Sequence, residues 1–190
     1  MKIPQPILSY VAKVALRTPP IGKPIFRTAL NVLKMPLTSH FVDYVIDFER
    51  AYKNDDWTHV EAYFSPDAVY EVRNTNFDCR LQGPKNIVKG FKRSLDGFDR
   101  KLKRTIEVIE GPNEHDDKVT FVWVGRYESP KLRPLSAEYP DVVVVSARQT
   151  AHYQDGLITM LIDDHLPGNK ERYTTLLKSY GHIFNPAYEE

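Results

Sequence analysis

One segment of this 190-residue chain leaves few choices of structure: Asp141 to His165, which reads DVVVVSARQTAHYQ, then Asp155-Gly156, then LITMLIDDH. Two runs rich in β-branched and aromatic residues joined by Asp-Gly specify a hairpin closed by a type I′ turn. In a regular ladder that turn pairs Tyr153 with Ile158, Ala151 with Met160 and Gln149 with Ile162. The other parity pairs His152 with Thr159, Thr150 with Leu161, Arg148 with Asp163, and Ser146 with His165. One face is then mostly apolar. The other sets the Arg148 guanidinium against the Asp163 carboxylate beside the His165 imidazole, and chemistry is expected there. A bulge anywhere in the hairpin would exchange the faces and void that pairing.

The preceding sequence supplies helices first and strands afterwards. Thr38 or Ser39 can cap a helix running to about Asn54, with Phe41, Val45, Phe48 and Tyr52 on one stripe. Asp55-Asp56 caps a second helix, WTHVEAYF. Ala68 to Arg73 and Phe77 to Leu81 read as strands, and Gly83-Pro84 opens a helix ending near Gly97. Lys101 to Glu110 and Lys118 to Tyr127 read as strands around a polar turn from Gly111 to Asp117. Ser129 to Pro140 is a proline-bearing loop, and Asn169 to Tyr180 a last helix before Gly181. Helices followed by a run of meander strands predict an α+β domain, a curved antiparallel sheet with helices across one face. The last two strands are apolar on much of both faces, as the unbroken Val142 to Val145 and the pair Met160 and Ile162 show. A second copy is expected on the face the helices leave, giving a homodimer.

The formal net charge of +1 hides an asymmetry. Residues 1 to 42 hold Lys2, Lys13, Arg17, Lys23, Arg27 and Lys34 and no acid, so the remainder of the chain carries −5. A slightly acidic body lacks the basic footprint of a nucleic-acid-binding domain. The lone Cys79 rules out an intramolecular disulfide and suits a reducing, cytoplasmic compartment. Residues 1–38 form a basic, acid-free extension with two short apolar helical stretches, Ile7 to Leu16 and Ile25 to Leu33. Packing over the domain, peripheral contact with an anionic membrane, and a cleaved leader are the three readings open to it. The domain proper is expected over 39–168, with a helix and tail over 169–190.

Several short motifs share an order and spacing with one family. They are Trp57 with YFSPDAVYEV (Tyr63 to Val72), the helix start Gly83-x-x-x-Ile87-x-x-Phe91, Asp155-Gly156-x-Ile158, and Asp163. Over roughly residues 40 to 166 the chain resembles the nuclear-transport-factor-2-like superfamily, in its SnoaL-like branch. The resemblance implies a cone-shaped α+β fold whose helices pack on the concave face of the sheet, a deep pocket between them, and frequent dimers. Members include polyketide cyclases, ketosteroid isomerases, scytalone dehydratases and epoxide hydrolases besides non-catalytic binding modules, so the fold alone names no reaction. Some place a working carboxylate on the last strand, where this chain has Asp163. The Arg-x-Asp of limonene-epoxide-hydrolase-type members has no counterpart in Phe121-Val122-Trp123-Val124, unless Arg148 substitutes. A first-helix tyrosine matching the ketosteroid isomerase oxyanion donor is Tyr44 or Tyr52.

The expected site is therefore Asp163 moving a proton, Arg148 tuning and orienting it, and His165 or Tyr44 assisting. No cofactor and no metal are called for. Strand spacing of about 3.3 Å per residue puts His152 and His165 too far apart to share an ion. The expected ligand is small, apolar or carbonyl-bearing. The competing expectation is a non-catalytic ligand-binding or dimerisation module, docked through residues 1–38.

Overall fold

The structure is a computed structural model describing residues 35–128 and 142–180. The two helical stretches expected before position 34 and the loop from Ser129 to Pro140 lie outside the described residues. Helix α1 (Pro36–Asn54) begins two residues earlier than Thr38, because Pro36 at its first turn needs no amide partner. Its cap comes from across the fold: the Glu114 carboxylate accepts the Thr38 N–H at 2.7 Å. It buries Phe41, Tyr44 and Ala51 and stops at Asp55, whose left-handed φ of 61° lets its N–H bond back to Ala51. Helix α2 (Thr58–Glu61) is a single turn capped by Asp56, since the chain turns into strand β1 (Phe64–Arg73) at once. Short β2 (Cys79–Gln82) leads to α3 (Pro84–Gly97), which buries Ile87, Val88, Phe91 and Leu95 along one stripe. Strands β3 (Lys103–His115), β4 (Lys118–Glu128), β5 (Val142–Gln154) and β6 (Leu157–His165) precede α4 (Asn169–Tyr180).

The six strands form one sheet in the order β2-β1-β6-β5-β4-β3. The α+β class with a curved sheet is as the sequence reading has it, with one addition. Strands β1 and β6 run parallel, so the sheet is mixed rather than wholly antiparallel. Strand β3 is also longer than expected. It carries the chain through Gly111-Pro112 by two ladder irregularities, so only Asp116-Asp117 remains as the turn where Gly111 to Asp117 was anticipated.

The β5–β6 hairpin has the expected turn, with Asp155 at φ 51° and Gly156 at φ 79°. Its register then shifts. Tyr153 pairs with Ile158, but His152 pairs with Met160, leaving Thr159 as an extra residue on β6. From there Ala151 faces Leu161, Gln149 faces Asp163, Arg148 faces Asp164 and Ala147 faces His165. The bulge carries Leu161, Asp163 and His165 to the inner face with Ile158 and turns Arg148 outward.

The inner face and the helices share two apolar clusters. One joins Phe41 and Tyr44 of α1 and Ile87, Phe91 and Leu95 of α3 to Phe121, Tyr153, Ile158 and Leu161. The second joins Tyr173 and Leu176 of α4 to Phe98, Tyr127, Val143 and Val145. Trp123 packs against both. Along β6 the inner residues pass from Ile158 and Leu161 in the first cluster to Asp163 and then His165, whose ring meets Tyr173 of the second at 5.6 Å. A carboxylate and an imidazole thus sit at the seam of two hydrophobic cores. Among the described residues no helix is long and apolar enough to cross a membrane.

Candidate functional site

Asp163 is 8% exposed, and its carboxylate is held by three side chains from three strands. Gln149 Nε2 on β5 donates to Oδ1 at 2.7 Å, and Trp123 Nε1 on β4 approaches the same oxygen at 3.4 Å. Tyr70 on β1 donates its hydroxyl to Oδ2 at 2.7 Å. A carboxylate oxygen offers two acceptor positions, so Oδ1 is filled while Oδ2 keeps one open for a ligand. The parallel β1–β6 pairing makes the Tyr70 contact possible, because Tyr70 stands beside Leu161 and Val72 beside Asp163 on one face. Tyr70, Trp123 and Gln149 are only half-buried although they point inward.

Two further groups converge on this carboxylate. Tyr44, on the inward stripe of α1, is 3% exposed. Among the described residues its hydroxyl has no hydrogen-bond partner, and it is not among the fully enclosed atoms left without one. Burial first, then the charge of Asp163, pushes its pKa well above the ordinary tyrosine value, so it stays a protonated donor at neutral pH. Tyr70 is raised for the same two causes in the same order. His165, two residues beyond Asp163 on the same face, stands edge-on to Trp123 at 5.8 Å and hydrogen-bonds Asn169 at 3.0 Å. Burial lowers its pKa, against the opposing pull of Asp163, Asp78 and Asp164.

The structure thus brings together Asp163, Tyr44 and His165 of the expected site and separates the fourth member. Arg148 is exposed on the outer face opposite Asp164, so it does not pair with Asp163. The single extra residue, Thr159, is the physical reason. The same shift sends His152 to the outer face, opposite Met160, and away from His165 on the inner one. Gln149, Tyr70 and Asn169 were missed. Gln149 carries no signal in sequence once a regular ladder pairs it with Ile162, and Tyr70 lies 93 residues from its partner. Among the described residues no three His, Cys, Asp or Glu side chains are grouped to hold a metal ion.

No family model matches the chain, and no curated protein matches it in sequence. Solved structures do match. An NTF2-like protein of unknown function from Burkholderia pseudomallei is 10% identical, with 75% of this chain and 98% of that one covered at a TM-score of 0.51. This chain has the nuclear-transport-factor-2-like fold. Bal32a, from a soil-derived mobile gene cassette, is also similar at 12% identity, covering 78% and 99% of the two chains with a TM-score of 0.50. An LEH-like epoxide hydrolase from M. tuberculosis is similar at 17% identity, 76% and 95% coverage and a TM-score of 0.49. Within the NTF2-like fold the Asp163 carboxylate is hydrogen-bonded by β1, β4 and β5, with Tyr44 of α1 facing the same interior.

Proposed function

We propose that this NTF2-like chain is an acid–base enzyme of the isomerase, cyclase or dehydratase kind, acting on a small apolar molecule that carries a carbonyl group. The observation that supports it is the Asp163 carboxylate, buried on the inner face and oriented by Gln149, Trp123 and Tyr70 with one oxygen position unfilled. In this reading Oδ2 takes a proton from the carbon beside the carbonyl and returns it elsewhere. The Tyr44 hydroxyl stabilises the negative charge that develops on the carbonyl oxygen. Apolar walls from both clusters strengthen those interactions by keeping bulk water away. Arg148 has no part.

The test is a thermal-shift screen of small carbonyl compounds on the wild type and Asp163→Asn, followed by turnover assays on compounds that stabilise. Asp163→Asn is expected to lower turnover by about 10²- to 10⁴-fold, the usual contribution of a positioned general base. Arg148→Ala is expected to match the wild type. Compounds that stabilise both proteins alike and are never turned over would make the chain a binding module instead.

A further inference from the structure

Asn169, at the start of α4, is fully buried, and every polar atom of its side-chain amide is engaged. Oδ1 accepts the Ser146 N–H of β5 at 3.3 Å and an Arg172 guanidinium N–H at 3.3 Å. Nδ2 donates to the Ser146 carbonyl and lies 3.0 Å from His165 Nδ1. Three of these partners admit one role each. A backbone N–H and a guanidinium can only donate, and a carbonyl can only accept, so the amide cannot be turned around. The group facing His165 Nδ1 is therefore the second N–H of Nδ2, and Nδ1 must accept it.

We propose that Asn169 is a positioning residue holding His165 in the tautomer with its one proton on Nε2, so that His165 meets a ligand of the Asp163 site as a hydrogen-bond donor and selects a carbonyl or enolate oxygen. The ligand half rests on the reading of Asp163 as the centre of the site. Protonating Nδ1 would set two donors face to face across 3.0 Å, which opposes both the other tautomer and the imidazolium. Burial works in the same direction. Asp163, Asp164 and Asp78 work against it, while Arg172 is occupied at the far side of the Asn169 amide and Tyr173 presents its ring. Nε2, on the opposite edge of the imidazole, has no hydrogen-bond partner among the described residues and is not among the fully enclosed atoms left without one. A ligand beside Asp163 then finds one acceptor, Oδ2, and two donors, Nε2–H and the Tyr44 hydroxyl. That set fits an oxygen acceptor next to an acidic C–H and repels an ammonium from the donor side.

The experiment is long-range ¹H–¹⁵N correlation of histidine side chains in the full chain, free and with 1-naphthol as a planar enolate-like probe. Wild type is expected to show His165 protonated at Nε2 and bare at Nδ1 from pH 8 to pH 6. Naphthol should move the Nε2 signal. In Asn169→Asp the carboxylate accepts from Nδ1, so the proton pattern should switch and naphthol affinity fall at least about tenfold, the loss of one good hydrogen bond. A wild-type His165 protonated at Nδ1 at pH 7 overturns the proposal without reference to any variant's folding. So does a folded Asn169→Asp that keeps the wild-type pattern. Naphthol binding that ignores the tautomer switch overturns the ligand half. None of these readouts needs turnover. An inactive site with the expected tautomer would remove the enzyme reading and keep the role of Asn169.

Discussion

At the scale of single residues, His165, His40 and His152 share a direction that makes them visible in stability. Each has a folded-state pKa below the ordinary 6.5, with burial as the largest cause. The unfolded chain takes up protons at these histidines as pH falls below about 6.5, and the folded chain refuses them until lower pH. Stability is therefore whole above that range and declines as pH drops through it toward the folded-state values. Equilibrium urea denaturation at pH 7.5 and 5.5 should show a lower midpoint at 5.5, above the pH at which ordinary carboxylates titrate. His165→Gln should reduce that difference, because one of these proton-linked sites is gone. An identical difference in wild type and His165→Gln would remove His165 from the effect. Asp55 belongs to a separate, more acidic window. Its carboxyl is held down to about 2, first by its hydrogen bond to Lys92 and then by that to Trp57, and its contribution is lost only as pH falls below the usual carboxylate range.

At the scale of elements, the sequence is most legible where its signals are local. The Asp155-Gly156 turn, the stripe of α1, the stripe of α3 and the positions of β4 to β6 follow from periodicity and turn chemistry within a dozen residues of one another. The two features that build the site are not local. Nothing in Leu157 to His165 announces that Thr159 stands outside the ladder, yet that one residue exchanges Arg148 for Gln149 as the partner of Asp163. Nothing near Tyr70 announces a parallel neighbour, because β6 follows it by nearly the whole domain. Asp163, Tyr44 and His165 come to one interior because each is placed by its own element: the acid and the imidazole by shared parity on β6, the tyrosine by the helix stripe. Strand β4 offers a direct test of how tightly the elements hold the site. A Cβ on Gly125 would lie 3.0 Å from the Trp123 ring, 3.1 Å from Tyr127 and 3.2 Å from Ile106. The two aromatic residues flank this glycine on the inner face, and both rings lie over it. Gly125→Ala should cost about 1–3 kcal/mol by overpacking, read from urea denaturation. It should also change the near-ultraviolet circular dichroism, as Trp123 leaves its place against Asp163. Wild-type stability with an unchanged spectrum would show that β4 has more room than these distances allow.

At the scale of the whole molecule, the sheet has one face covered by helices and one that no helix among the described residues covers. The helices and both clusters occupy the inner face. The outer face carries Val69 beside Met160 and Thr150 beside Ile162 on β1, β6 and β5, with Val124 and Val144 farther along β4 and β5 beyond Ser146 and Arg148, all half-exposed. Met160 and Ile162 with Val69 and Thr150 give this face a half-exposed, largely apolar centre flanked by Glu71 and Arg148, which suits a protein contact. A sheet face is also well suited to a two-fold contact, since the same patch meets itself. We propose that a second copy of the chain covers it. Light scattering of the full chain should give twice the chain mass. Ile162→Asp, near the centre of the patch, should halve that mass by placing a carboxylate where it cannot be hydrated in the dimer. Because Ile162 and Asp163 point to opposite faces, the same variant should keep the thermal response to carbonyl compounds that Asp163→Asn loses. A wild type that runs as a monomer at tens of micromolar, or an Ile162→Asp protein that stays a dimer, would assign this face another role. The two faces of β6 would then have to be explained separately: one by the chemistry at Asp163, the other by a partner that is not this chain.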